Sequence, residues 1–283
     1  MRYSFFGFRC GRPRAPIEPS GHDRFDIRMD GQALFAEVLR QQNVNACFFV
    51  ATTFRSGSTL LGKLLFEETG LSFHLEQFNT VPTWFKLKET TLRHTITQAL
   101  SPVVGGHYGA KLMWPHRNNL ATFLDIDRAH SAQFLEVFPN LKFVHLARRD
   151  KVAQAVSYYI ARRSDNWTTV NNDIEYSFPI ILEYFKNLFY HDTMWDEFFR
   201  SISVEAKKIL YEDMIADTEL ALSTVLDEFG ISRNGSSARY SSFGPWKQSP
   251  LSARFRDRFL DDLYTLSPLE FLPGRLIGPF TPK

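Results

Sequence analysis

Residues 50–60 read V-A-T-T-F-R-S-G-S-T-L and follow the apolar run A-C-F-F at 46–49. A strand that runs into a glycine-containing turn and then a helix is a setting for holding an anion. The turn aims several amides at one point, and the helix start adds partial positive charge. Ser56, Gly57, Ser58 and Thr59 would supply amides and hydroxyls, and Arg55 a fork of charged donors that can replace a lysine. The full G-x-x-x-x-G-K-[ST] pattern is absent, because the stretch has one glycine and no closing lysine. The Mg²⁺ and γ-phosphate of nucleotide hydrolysis therefore have no evident holder. Taken alone, the stretch fits an ordinary strand–helix turn capped by Ser58 equally well.

A second basic element lies at 141–163, L-K-F-V-H-L-A-R-R-D-K-V-A-Q-A-V-S-Y-Y-I-A-R-R. Its apolar run ends at Ala147, so Arg148 and Arg149 stand at the carboxyl end of a buried strand. Asp150 suits the start of the helix that follows. Ser157, two turns further on, lies on the same face. Ligands of open parallel sheets bind at the carboxyl ends of strands, so Arg148 belongs beside the loop after Thr53. A solvated basic edge, with Ser157 packing as a small residue, is the plain alternative. Together the two elements describe a nucleotide with two separated phosphate groups.

These residues need a sheet to carry them. Strands are predicted at 47–53, 71–76, 107–113, 141–147 and 207–211. Helical patterns are predicted at 31–43, from Ser58 to the stop at Gly70, and at 84–100, 129–138, 150–163, 173–200 and 217–229. Strands alternating with helices predict an α/β fold, with a mainly parallel central sheet flanked by helices on both faces. The expected organisation is an arm over 1–30 and one domain over 31–283, with 231–283 as a wrapping or lid segment.

Composition narrows the function. The 33 basic and 31 acidic residues give a net charge of +2, against the marked basic excess of a general nucleic-acid binder. Cys10 and Cys47 lie far apart without metal-ligand spacing and read as free thiols of a reducing cytoplasm. No apolar run approaches the ~18 residues of a membrane span. The N-terminal stretch lacks a secretory apolar core and reads as a weakly packed arm. Phe5, Phe6 and Phe8 with Arg9, Arg12 and Arg14 give that arm the means to touch a membrane surface.

The pair F-R-S-G-S-T-L-L and R-R-D-K-V-A-Q-A-V-S, with G-A-K-L-M-W at 109–114 between them, closely resembles the bacterial sulfotransferases of the trehalose 2-sulfotransferase type. The segment I-L-Y-E-D-M-I-A-D at 209–217 resembles the Y-E-D element of sulfotransferases more widely. The resemblance runs from about residue 46 to about 260, with four motifs in the family's order. It implies a P-loop-like sulfotransferase fold and transfer of a sulfuryl group from 3′-phosphoadenosine 5′-phosphosulfate (PAPS) to an acceptor hydroxyl, with no metal. By the resemblance, Arg55 to Thr59 would hold the 5′-phosphosulfate, Arg148 and Ser157 the 3′-phosphate, and Tyr211 the adenine. Lys247 and Gln248 would belong to a basic segment that folds over the nucleotide.

The family's base is a glutamate, which here corresponds to Glu76 in S-F-H-L-E-Q-F. The Gly-Pro approach that often precedes it is missing from this chain. His74 is the rival base, because imidazole titrates near neutral pH and the two residues would share a side of an extended segment. Lys111 would bind sulfuryl oxygens or the acceptor, and Trp114 and Trp167 are candidates for the acceptor side. A sheet-end lysine and core tryptophans are the plain alternatives. The implied acceptor is a trehalose, glycolipid or lipopolysaccharide sugar. A homodimer and a cytoplasmic location, with the inner face of the membrane within reach, complete the expectations. A Mg-ATP-dependent small-molecule kinase and a nucleotide-binding protein without catalysis are the competing readings.

Overall fold

The computed structural model describes residues 31–127, 131–164, 174–233 and 249–266. Leu34, Phe35, Val38 and Leu39 recur at helical spacing and form the buried stripe of α1 (Gly31–Gln41). The apolar run that follows has the pattern of a strand covered on both faces. It forms β1 (Ala46–Thr52), buried at every position but the first. Gly57, at φ 89°, caps the start of α2 (Ser58–Thr69), and Gly70, at φ 75°, ends it. The cap is therefore Gly57, and Ser58 is the first helical residue.

A 3₁₀ turn (Gln77–Thr80) leads into α3 (Val81–Trp84), and α4 (Glu89–Ala99) follows after a break, so the helix predicted over 84–100 starts five residues later, and Trp84 instead ends the short helix before it. Then come the two-residue β2 (Val103–Val104), β3 (His107–Met113), α5 (Trp114–Phe123) and α6 (Gln133–Val137). Next are β4 (Lys142–Ala147), α7 (Lys151–Arg163), α8 (Phe178–Ser201) and β5 (Lys207–Leu210). The described elements end with α9 (Tyr211–Ala216), α10 (Thr218–Phe229) and α11 (Pro250–Leu266).

The five strands lie in the order β2-β3-β1-β4-β5. All neighbours are parallel except β2, which runs antiparallel at the edge. From β1 the chain goes to β3 on one side and then to β4 on the other. The reversal falls between β1 and β4, where open α/β sheets form their ligand crevice. Register sets the edge: Thr52 aligns with Met113 and with Leu146, and Ala147 with Leu210. The residues that follow these strand ends leave the sheet side by side.

Alternate residues of β1 enter opposite cores. Cys47, Phe49 and Ala51 join α1, α3 to α6 and the C-terminal half of α8. Phe48 and Val50 join α2 and α10. A third cluster unites α7, the first half of α8, and α11 through Leu251, Phe255 and Phe259. The sheet flanked by helices agrees with the fold class predicted from the sequence.

The strand predicted at 71–76 does not form. Leu71 and Phe73 are buried as strand residues would be, but β2 occupies the outer edge of β3. The segment lies over the sheet face instead. The Phe73 ring fills the space above Gly109 of β3, where any Cβ would collide with it. It also stacks on Phe229 with centroids 5.7 Å apart. The arm over 1–30 lies outside the described residues, as does most of 231–283, of which 231–233 and 249–266 are described. No described helix is long and apolar enough to cross a membrane.

Candidate active site

The loop after β1 is held from three directions. Thr52, Thr53 and Ser56 are each 0% exposed. Thr52 Oγ1 donates to Leu146 O of β4 at 2.9 Å, so Ser56 Oγ is the donor in its 2.5 Å contact with Thr52 Oγ1. Trp195 Nε1 of α8 donates to Thr52 O at 2.9 Å. Gln154 of α7 donates from Nε2 to Thr53 Oγ1 at 2.9 Å and to Phe54 O at 2.7 Å. Its Oε1 accepts from Lys151 Nζ at 3.0 Å, and Lys151 pairs with Asp192 of α8. A buried network in which each of these groups is bonded fixes one arrangement of the backbone.

Held in this way, Arg55 takes φ 60°, a conformation uncommon outside glycine. Gly57 needs to be glycine for a second reason: a Cβ there would run into the Tyr211 ring. Leu60 and Leu61 N–H both turn to Gly57 O. The amides of Ser58 and Thr59 lie outside the intrahelical ladder, at the positive end of α2.

The second element joins the first across the reversal point. Arg148 Nη1 donates to Arg55 O at 3.3 Å, and its guanidinium lies 4.7 Å from the Tyr211 ring centroid. Arg148 Nε is buried without a hydrogen bond, and the Glu212 carboxylate is 4.0 Å away. Arg55 Nε donates to Ser157 Oγ at 3.0 Å. The hydroxyl expected beside Arg148 is thus bonded to Arg55, and both arginines belong to one cluster. Burial first, and the charge of Arg148 second, hold the Arg55 pKa below its ordinary value. An anion between the guanidinium groups would offset both effects.

The start of α7 is braced independently. Asp150 Oδ1 accepts from Ala153 N at 2.8 Å, as its place before the helix predicts. Its Oδ2 accepts from Arg256 Nε of α11 at 3.0 Å. Glu212 accepts from Arg149 N at 2.9 Å and Asp150 N at 3.1 Å, so the Y-E-D segment of α9 is pinned to the same turn.

Lys111 lies in β3 and is 1% exposed, so neither a surface nor a sheet-end lysine describes it. Its Nζ reaches Glu76 Oε1 at 3.1 Å and Thr59 Oγ1 at 3.4 Å. Burying a lysine side chain calls for such polar partners. His74 rests edge-on against Phe66 of α2 with centroids 4.8 Å apart, and its Nδ1 is buried without a partner. Burial, then the charges of Lys111 and Lys63, push its pKa down.

Trp114 is 3% exposed and packs edge-on against Trp195 at 5.1 Å, with Arg117 over its ring. It is a core residue, with its ring faces covered by protein, and the acceptor role expected of it has no open face to act through. Trp167, Lys247 and Gln248 lie outside the described residues.

Two participants were missed in the sequence. Gln154 sits inside the R-R-D-K-V-A-Q motif, where its burial follows only from the packing of α7. His116, in the first turn of α5, is 4% exposed with Nδ1 unpartnered. Its signal was Pro115 two residues past the end of a buried strand, the mark of a helix start at the sheet's carboxyl edge.

With this geometry established, comparison with known families gives one result. Residues 47–241 match the model of the Stf0 sulphotransferase family, a span that contains both arginine elements, Glu76 and Lys111. No match was found among curated proteins.

Proposed function

The chain belongs to the Stf0 sulphotransferase family, and from that premise we propose that it moves the sulfuryl group of PAPS to a hydroxyl of a carbohydrate or glycolipid, releasing PAP. One observation carries the reading: the Lys111 ammonium touches Thr59 of the loop and the Glu76 carboxylate at once. It links an anion-holding helix start to a group able to accept a proton.

The residues fit a donor with two phosphate groups. Arg55, Arg148 and Ser157 form one cationic cluster at the sheet reversal, and the buried Nε of Arg148 is a charged donor awaiting an acceptor. Tyr211 supplies a ring face beside it for a base. PAPS contributes a sulfuryl group already activated by its bond to the 5′-phosphate. Arg55 and the amides of Ser58 and Thr59 answer the negative charge that develops at the start of α2. Glu76 takes the acceptor proton. Its Oε1 is engaged by Lys111, so Oε2 is the oxygen left to receive it. Glu76 is favoured over His74 because it alone of the two shares a contact with the lysine that reaches the loop.

The test combines transfer with binding. Incubation with ³⁵S-labelled PAPS and a panel of bacterial glycans, trehalose included, should place label on a sugar hydroxyl. Calorimetry should show PAP binding far tighter than Mg-ATP. Label on no glycan, together with ATP binding in preference to PAP, would refute the proposal in favour of a kinase.

A further inference from the structure

The side chains around Glu76 include one that the transfer chemistry described above does not use. His116 leaves β3 by the shortest route: the strand ends at Met113, and His116 is the third residue of α5. Its ring is buried, and Nδ1 is sealed from solvent without a hydrogen-bond partner. An unpaired buried ring nitrogen is destabilising, so its persistence calls for an explanation, and a missing ligand group is one.

Its surroundings define what that group would be. Burial first, and the Lys111 charge opposing that of Glu76, keep the imidazole pKa below its usual value. The ring is therefore neutral near neutral pH, with one donor and one acceptor nitrogen. Such a ring suits a hydroxyl, which both donates and accepts. An anion is served better by the two guanidinium groups across the site.

On its other side His116 meets the Phe54 ring edge-on, with centroids 6.0 Å apart. Phe54 is stacked parallel on Tyr158 at 5.1 Å and 3°, and Tyr158 adjoins Tyr184 at 4.6 Å. Tyr158 lies near enough to Glu76 for that carboxylate to contribute to raising its pKa, after burial. Phe54, Tyr158 and Tyr184 are only half-buried. An aromatic surface beside a hydroxyl-reading group is a means of holding a ring with an apolar face and a polar rim.

We infer that His116 binds a second hydroxyl of the acceptor, neighbouring the one that Glu76 deprotonates, while Phe54 and Tyr158 take the C–H face of the same ring. The acceptor is then a cyclic polyol with adjacent hydroxyls, and a simple alcohol is excluded. The inference rests on the sulfotransferase reading and specifies its acceptor.

A cycle of protein and substrate changes tests it. Take the panel sugar that receives label fastest and its monodeoxy analogues, and measure kcat/KM with the wild type and with His116→Phe. With the wild type, one deoxy position other than the sulfated one should lose about 10- to 100-fold, because it strands a buried nitrogen. With His116→Phe the parent sugar should drop by a similar factor, and that deoxy analogue should lose no more than about twofold further. PAP affinity of the variant serves as the check on folding, with His116→Asn as the second variant if the phenylalanine does not fit. Undiminished discrimination among the deoxy sugars in a variant that binds PAP normally would overturn the inference alone. A wild type that transfers label to nothing would overturn the sulfotransferase reading itself, and the inference with it.

Discussion

The two sides of the cleft are finished to different degrees. Around the β1–α2 loop, Thr52, Thr53 and Ser56 are all buried and all hydrogen-bonded, braced by Gln154, Trp195 and a β4 carbonyl. Around Glu76, two imidazoles, His74 and His116, each keep a buried nitrogen without a partner. The loop side has orphans too, Arg148 Nε and, in the Lys151 brace, Asp192 Oδ1, but both belong to charged side chains. On the proposed reading, this is a donor site pre-shaped for an anion beside an acceptor site whose polar groups are kept for neutral hydroxyls. Rigidity on one side lets a common donor be gripped in the same way each time. Unspent hydrogen-bonding capacity on the other lets the acceptor contribute its own binding energy.

The sharpest way to separate the two sides is Glu76→Gln. It should lower kcat by roughly 10²–10⁴-fold while PAP affinity in calorimetry stays within about twofold of wild type. A parallel loss of PAP binding would mean that Glu76 shapes the donor site, and the division would fail. Arg148→Ala should do the reverse. It removes a charged fork and should weaken PAP binding by about 2–3 kcal/mol, with acceptor KM little changed. Unaltered PAP affinity would remove Arg148 from the donor site.

Gln154→Leu tests whether the loop is braced as its contacts indicate. It strands Phe54 O and Thr53 Oγ1 and leaves Lys151 Nζ with Asp192 alone. The expected cost is about 2 kcal/mol in urea denaturation, and PAP binding should weaken with it. A stable variant with loosened PAP binding would sharpen the comparison, since Gln154 would then position the loop and do nothing for the core.

The smallest effect expected is on the pH dependence of stability. Burial lowers the pKa of His74, His116 and His191 in the folded state. The unfolded chain then binds more protons, so stability is fully present above the unfolded value near 6.5 and is lost as pH falls toward the folded values. Urea midpoints measured from pH 8 down to pH 5.5 should fall. In His116→Asn the decline should be shallower, and an unchanged slope would show that His116 is not buried neutral.

The elements that carry the chemistry were legible because their signals are local. A-C-F-F-V-A-T has the length and composition of a buried strand, and Asp150 caps α7 through a hydrogen bond three residues away. The gathering of Arg55, Arg148 and Ser157 was legible too, because parallel strands bring their carboxyl ends together wherever they fall in the chain. The failures were tertiary. Leu71 and Phe73 have a strand's alternation, yet their positions are set by Gly109 and Phe229, far away in sequence. Trp114 looked like a sugar platform until α8 supplied Trp195 and Phe198 to cover it. His116 follows Pro115 in a helix too short for periodicity to reveal, and its value lies in neighbours from three other elements.

The Tyr211 ring has one further consequence. The Arg148 guanidinium lies 4.7 Å from its centroid, and it fills the space that a side chain at position 57 would need. A single aromatic thickness thus serves as the gauge block between two arginine-bearing turns that the chain contributes nearly a hundred residues apart. The ring helps to set the distance between the two turns, together with the direct Arg148–Arg55 bond and the β1–β4 register. On the proposed reading, exchanging the tyrosine for an aliphatic residue should leave the sheet folded and weaken the grip on a ligand with two fixed phosphates.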